Sequence, residues 1–370
     1  GQRCCVATQE NAKGLSVDFL SELTGTLLAQ MQKPTLAFLI GGMLLAAMSS
    51  RLELPEPVYK LVVMLLLLKV GMSAGISVRE AELVALAVPG ILAVIAGVSI
   101  VLIGRMTLVR LRGVGEMDGM ATAGLFGAVS ASTLAAGMAM LDDAGIAYEG
   151  FIGALYPFMD VAALLTAIIM ARMAAERRAA RSDVSQGGIA VIGSGGAGGG
   201  PAIDWALIRS ILVDTIRSPA ISALLLGLGL GLFARPDSVF ESFYEPLFRG
   251  LLSILMLMMG FEAWNRLGEM RRVAHVYVFY GLLAPLIHGL IGLGMGLIAH
   301  ELTGFSLGGV VLMAVMAASS SDISGPPTLR GALPEANPSA YIATSTGLGT
   351  PVAILSIPLW VTLAEAFIGG

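Results

Sequence analysis

The sequence predicts an all-α integral membrane protein with ten transmembrane helices, built as two inverted five-helix repeats with crossed, discontinuous helices. Three observations lead there. Composition is the first: 56% of the 370 residues are apolar and 13% charged, with a mean hydropathy of +0.84, whereas an ordinary soluble domain is about 25% charged. The second is a likeness between the two halves of the chain at one fixed offset. The third is a pair of polar interruptions inside apolar segments, one in each half.

Many segments approach the roughly 20 apolar residues that span a bilayer, which sets aside a soluble protein with very apolar buried helices. The 47 glycines suit helices that pack backbone to backbone in lipid. A formal net charge of −4 does not fix orientation, which depends on where Lys and Arg sit. Cys4 and Cys5, the only two cysteines, are adjacent and outside any span, so no disulfide framework is implied. With three histidines and no cysteine cluster, a transition-metal site is not expected.

Residues 1–16 are polar, lack the apolar core of a signal peptide and read as a tail or remnant. Residues 17–32 have apolar positions at three- and four-residue spacing, as in an amphipathic interfacial helix. Apolar spans follow near 34–50, 57–78, 82–108, 119–141 and 148–172, completing a first membrane repeat over 17–172. Residues 173–202 open on Arg177, Arg178 and Arg181 and end in S-G-G-A-G-G-G-P, the composition of a flexible linker. The second repeat, 203–370, has another short segment at 203–217 and spans near 219–234, 245–264, 273–300, 308–333 and 340–366.

The halves match at several unrelated positions. Glu56-Pro57-Val58-Tyr59-Lys60 answers Glu245-Pro246-Leu247-Phe248-Arg249, an offset of 245 − 56 = 189. The same offset pairs Gly71 with Gly260, Glu80 with Glu269, and Ser130-Ala131-Ser132-Thr133 with Ser319-Ser320-Ser321-Asp322. A repeat with an odd number of spans inserts the other way up the second time. Placing the linker in the cytoplasm puts Arg51, Arg110, Arg112, Arg177, Arg178, Arg181, Arg209, Arg217, Arg266, Arg271, Arg272 and Arg330 inside. Arg79, Arg235 and Arg249 are left outside, among Asp142, Asp143, Glu149, Asp237 and Glu241. That partition obeys the positive-inside rule and leaves both chain ends outside the cytoplasm.

The paired interruptions are the candidate site. A-A-S-S-S-D-I-S-G-P-P-T (317–328) holds four serines, a carboxylate, a glycine and two consecutive prolines inside an apolar segment. A helix cannot run undisturbed through Pro326 and Pro327, and lipid cannot satisfy the backbone groups so freed, so the break must face protein or a watery cavity. Half-helix N-termini suit a small anion. Freed carbonyls, hydroxyls and the carboxylate offer the oxygen ligands that sodium takes. For any single serine the simpler account is a hydroxyl bonded back to its own helix.

Lys69, Asp160, Glu262 and His288 also lie within spans, where ionisable groups are rare and tend to pair. One reading is a structural Lys69–Asp160 ion pair. Another has Asp160 or Asp322 binding the cation while Lys69 balances charge, with Glu262 near the end of its span and His288 a packing residue. Three acids against one lysine favour a cation. The Gly-rich linker follows no strand and carries no Gly-Lys-Ser, which argues against an ATP-driven pump.

The strings P-T-L-A-F-L-I-G-G-M (34–43), G-A-L-Y-P-F-M-D (153–160), E-P-L-F-R-G-L-L-S-I-L-M-L-M-M-G (245–260), F-S-L-G-G-V-V (305–311), A-A-S-S-S-D-I-S-G-P-P-T-L-R (317–330) and A-N-P-S-A-Y-I (336–342) resemble the cyanobacterial sodium-dependent bicarbonate transporters, the SbtA family. The likeness runs from residue 17 to the C-terminus; the linker is shorter and more Gly-rich than that family's. The resemblance implies a homotrimer in the plasma membrane, importing bicarbonate with sodium for a CO2-concentrating mechanism. Each protomer would have a moving core and a gate domain that makes the trimer contacts. It also implies a cytoplasmic partner, a trimeric PII-like regulator (SbtB), and no nucleic acid.

Carried onto this chain, bicarbonate falls to Ser130, Ala131, Ser132, Thr133, Ser321, Asp322, Ile323, Ser324 and Gly325, and sodium to Ser319, Ser320, Asp322 and Asp160. Neighbouring groups would come from the Gly71–Gly75 region, and Lys69 and Glu262 would balance charge. No enzyme activity and no cofactor beyond Na+ as coupling ion is expected. The rival readings are a cation/proton antiporter of similar fold and a transport-inactive membrane receptor or scaffold for a cytoplasmic regulator. An intramembrane hydrolase is weaker, since no serine has an evident His or Lys partner.

Overall fold

A computed structural model describes residues 34–50, 55–80, 83–185, 205–270 and 275–369. The expected tail, the interfacial segment 17–32, Arg51, Arg271, Arg272 and residues 186–204 of the linker region lie outside the described residues. Within them the chain is helical, without strands. The first half forms α1 (Pro34–Ala47), α2 (Glu56–Glu80), α3 (Leu83–Met106), a 3-10 turn at Leu108–Arg110, α4 (Glu116–Gly127), α5 (Ala131–Ala144) and α6 (Ile152–Ser185). The second forms α7 (Trp205–Ile216), α8 (Pro219–Phe233), a π-helical turn at Phe240–Tyr244, α9 (Glu245–Met270), α10 (His275–Thr303), α11 (Leu307–Ala318) and α12 (Gly325–Ala332). It ends with α13 (Pro338–Ile342), a π-helical stretch Ala343–Gly349, α14 (Thr350–Leu355) and α15 (Ile357–Ile368).

Among the described residues six segments are long and apolar enough to cross a membrane: Pro57–Arg79, Val84–Arg110, Glu116–Ala144, Ile152–Ala175, Asp237–Gly268 and His275–Thr303. The pair Pro338–Leu355 and Ile357–Ile368, bent by 42°, makes a seventh. The other three expected spans are shorter. Helices α1 and α8 have 14 and 15 residues, about 22 Å at 1.5 Å per residue. The span expected at 308–333 is cut after the 12 residues of α11. At the other extreme, α6 runs to Ser185, so residues 173–185, expected as the start of the linker, continue a helix.

Local chemistry fixes the ends. Ser218 caps α8 by accepting from the Ile221 amide, with Pro219 at the first helical position, where its missing N–H costs nothing. Ser306 caps α11 through Gly309 N. Its own amide and hydroxyl are taken by Glu149, at 2.6 and 2.9 Å. Gly145 closes α5 at a φ of +68°, which a side chain would resist. Connections then meet in two sets. Asp143 pairs with Arg249 at 3.0 Å and Asp237 with Arg79 at 3.7 Å. In the other set Asp118 accepts from Asn337 N, and Arg172 donates to Ala332 O.

Helices α1, α2, α8 and α9 form one group, and α3 to α6 pack with α10 to α15 in a larger one. Within the smaller group the same close contact occurs twice. A Cβ on Gly71 would lie 2.2 Å from Leu224 O, and one on Gly227 would lie 2.5 Å from Leu68 O, so α2 and α8 touch backbone to backbone. A Cβ on Gly260 would lie 2.0 Å from Leu39 O, and one on Gly42 would lie 2.0 Å from Leu257 O, so α9 and α1 do the same. The offsets are 260 − 71 = 189 and 227 − 42 = 185. In lipid, where water provides no drive between helices, such approach is a main source of association.

These contacts set a test. Gly71→Ala or Gly260→Ala forces the paired helices apart and is expected to lose about 1–3 kcal/mol, while Gly41→Ala, with open space around its Cβ position, changes little. Thermal midpoints of the purified variants in one detergent measure the difference. Equal midpoints for Gly41→Ala and Gly260→Ala would remove the interlock from the account.

Candidate functional site

The first interruption is a short length of extended backbone, and the second begins extended and returns to helical angles at Ser324. Ala128 (φ −87°, ψ 157°) and Ser130 (φ −89°, ψ 120°) join α4 to α5, and Ser319 (φ −72°, ψ 171°) ends α11. The two breaks complete one another. Ser130 N donates to Ser319 Oγ at 2.9 Å, two residues related by the offset of 189, and Ser321 N donates to Leu125 O at 2.8 Å. Ser319 Oγ donates in turn to Met316 O at 2.7 Å, inside its own helix. Amides that lipid could not satisfy are thereby paired.

Asp160 on α6 ties both breaks to the helix beside them. Its Oδ1 accepts from Val129 N at 3.2 Å and its Oδ2 from Ser324 Oγ at 3.0 Å. Pro157, one turn earlier, lies inside the same helix. The Ser324 hydroxyl also meets Ser321 Oγ at 2.9 Å and Tyr156 OH at 3.3 Å. On the other side, Ser130 Oγ accepts from Thr133 N and Thr133 Oγ1 and lies 2.8 Å from Ser132 Oγ. Ser132 Oγ donates to Asp322 Oδ2 in a short hydrogen bond. Among the described residues the second oxygen of that carboxylate, Asp322 Oδ1, is buried without a hydrogen-bond partner.

The two half-helix starts differ. At α12 the donors are nearly gone: Gly325 N is taken by Ser321 Oγ at 2.8 Å, and Pro326 and Pro327 have no amide hydrogen. At α5 the first-turn amides of Ala131 and Ser132 have no intrahelical acceptor. Ala131, Ser132 and Ile323 line a narrow cleft closed from the other side by Val63, Leu66 and Leu67 of α2 and Leu255 of α9, too tight for a water molecule. The crossing therefore faces the smaller helix group through an aliphatic seam.

The hydrogen bonds at the crossing fall into two neighbouring sets: Ser130, Ser132, Thr133, Ser319 and Asp322 in one, and Asp160, Ser321 and Ser324 in the other, which Ser320 joins through Ser345. Other residues lie elsewhere. Lys69 makes no ion pair with Asp160. Its ammonium sits 4.4 Å from the Phe248 ring centroid and 5.7 Å from that of Phe240, although the residue is only 8% exposed. Stacking on ring faces stabilises a desolvated cation, so the pair expected from burial has been replaced by two aromatic rings. Glu262 pairs instead with Arg266, four residues on, at 3.4 Å. Gly71 and Gly75 press against α8 and not against the crossing. His288 is buried edge-on to Phe126 and Tyr280, both at 6.1 Å between centroids, as a packing residue would be.

Sequence reading passed over Ser345 and Thr350. Ser345 Oγ donates to Ser320 Oγ at 2.9 Å, and Thr350 Oγ1 lies 3.4 Å from the same atom. The signal was present: A-T-S-T-G-L-G-T (343–350) puts four hydroxyls and two glycines inside an apolar span. Its π-helical winding is a form often found at functional positions.

An all-helical bundle of spanning segments, with polar, carboxylate-bearing clusters held where two interrupted helices meet, defines a polytopic membrane protein. The chain belongs to the Na+-dependent bicarbonate transporter superfamily, whose family profile matches residues 34–365. It is thus a transporter and not an enzyme. No curated protein sequence matches it significantly.

Asp160 yields a prediction that separates charge from architecture. Asp160→Asn retains an oxygen for Val129 N and an amide group opposite the rotatable Ser324 hydroxyl, whereas Asp160→Ala leaves a buried amide unpaired, at about 1–3 kcal/mol. Thermal unfolding should rank wild type and Asn close together with Ala well below. An Asn variant as unstable as Ala would mean that the charge, and not the acceptor geometry, holds the breaks.

Proposed function

We propose that this chain is a sodium-driven importer of bicarbonate, a symporter that serves a CO2-concentrating mechanism by alternating access around the crossed breaks. The observation that carries the reading is Asp322. One of its oxygens is bound by Ser132 and the other is buried without a partner, a strongly unfavourable state for a carboxylate oxygen unless a cation completes it. Sodium, with its preference for oxygen ligands, suits that oxygen, with Asp160, Ser319 and Ser320 as the neighbouring groups. The anion goes to the open amides of Ala131 and Ser132 at the start of α5, beside Ser130 and Thr133, with residues 321–325 opposite. Family membership supplies the identity of the two ions.

The inverted repeat belongs to the same proposal. The doubled glycine contacts at offsets of 189 and 185, and the touching of Ser130 by Ser319, are what a two-fold axis in the membrane plane would produce. On this reading α1, α8 and the broken pair α11–α12 also count as crossings, giving ten. The linker is cytoplasmic, both termini lie outside, and the protein sits in the plasma membrane. A homotrimer joined through the α1–α2–α8–α9 group, and a PII-like regulator on the cytoplasmic face, complete the assignment. Lys69, enclosed by Phe240 and Phe248, is no counter-ion for the network here, so sodium itself balances the carboxylates.

Labelled bicarbonate uptake into vesicles of purified protein, with and without an inward sodium gradient, tests this. Wild type should concentrate bicarbonate only with sodium. Asp322→Ala should lose roughly tenfold to a hundredfold of that rate, since an interaction with a charged group contributes about 1.5–3 kcal/mol. Uptake indifferent to sodium would discard the coupling, and intact protein that carries nothing would favour a receptor for a cytoplasmic regulator.

A further inference from the structure

We propose that the cleft at the end of α3 binds the phosphate headgroup of an anionic phospholipid. The cleft has a volume of about 500 Å³ and opens beside the 3-10 turn that follows α3. Arg105, in the last turn of α3, and Arg110, closing the 3-10 turn, both line it. Among the described residues neither arginine makes an ion pair. Glu116 is the single acid in the lining.

Three features select a lipid. Depth is the first: the apolar span is Val84–Arg110, so both guanidinium groups lie where the helix leaves the hydrocarbon, at headgroup level. The second is the shape of the lining. Leu102, one turn before Arg105, and Met106, beside it, are 40% and 60% exposed, and Met170 of α6 adds a further apolar side chain to the lining. Such a surface meets an acyl chain while the charged end meets its phosphate. The third is the donor type. Planar guanidinium groups bind phosphate oxygens in pairs, and basic pockets between helices at this depth are a recognised form of headgroup site. A free inorganic anion would use the arginines but leave the apolar wall idle.

The test uses full-length protein stripped of lipid in detergent, then titrated with phosphatidylglycerol, phosphatidylcholine or inorganic phosphate. Native mass spectrometry counts retained lipid, and thermal unfolding reads the shift. Wild type should retain phosphatidylglycerol and gain stability from it, with no response to phosphatidylcholine or phosphate. Arg105→Gln/Arg110→Gln should bind it about thirtyfold more weakly, the loss expected of two basic groups near a membrane surface. Arg235→Gln, an exposed arginine away from the cleft, should bind as wild type. Should the double variant be less stable without lipid, Arg110→Gln, which alters only an exposed side chain, carries the comparison.

Equal retention by wild type and both arginine variants would overturn the site. So would an equal response to phosphatidylcholine, or an equal loss in Arg235→Gln. A shift with inorganic phosphate as large as that with lipid would assign the arginines to a soluble anion. A lipid-independent change in oligomer size in the double variant would make the cleft a contact between copies.

Discussion

A helix broken inside a bilayer must find its hydrogen bonds in protein, because hydrocarbon offers none. Here each break is completed by the other. Ser130 N reaches Ser319 Oγ, Ser321 N reaches Leu125 O, and Val129 N reaches the Asp160 carboxylate. Neither interruption is tenable without its partner, so α4–α5 and α11–α12 must cross where they do. Helix α6 must also present Asp160 at that level. This mutual satisfaction fixes where the helices of the larger group cross, within extensive apolar packing.

The same accounting gives the network its polarity. Prolines and Ser321 remove the donors at the start of α12, while the amides of Ala131 and Ser132 at the start of α5 have no intrahelical acceptor. Asp322 adds a buried carboxylate oxygen without a partner among the described residues. Two segments related in sequence therefore differ in hydrogen-bonding character. Lys69 does not blur this, because the rings of Phe240 and Phe248 hold its ammonium away from the carboxylates.

Much of this was legible in the sequence, for physical reasons. Serines, an aspartate and two prolines inside an apolar run must be paired or exposed to water, so their composition alone marks the crossing. The glycines at 71 and 260 stood out through their spacing. What escaped was of two kinds. The partner of a buried lysine is a matter of three-dimensional direction, and charge counting could not choose ring faces over Asp160. Ser345 and Thr350 carried no charge or proline to mark them within their apolar span. Their approach to Ser320, one from the π-helical stretch 343–349 and one from the helix that follows, depends on tertiary packing. The end of one span was read less well, since apolar runs do not reveal that α6 extends to Ser185.

The glycine contacts of the smaller group carry a mechanical implication. Where one backbone rests in the groove of another with only hydrogen atoms between, a slip of one turn at the α9–α1 joint would put Met256 or Trp264 where Gly260 now sits against main chain. That joint therefore resists shear and behaves as a welded seam. The boundary formed by Val63, Leu66, Leu67, Leu255 and Ile323 is of another kind, aliphatic and without a hydrogen bond across the cleft. Sliding there trades one greasy contact for the next at little cost in enthalpy. Of the internal surfaces of this molecule, that one has the properties of a bearing.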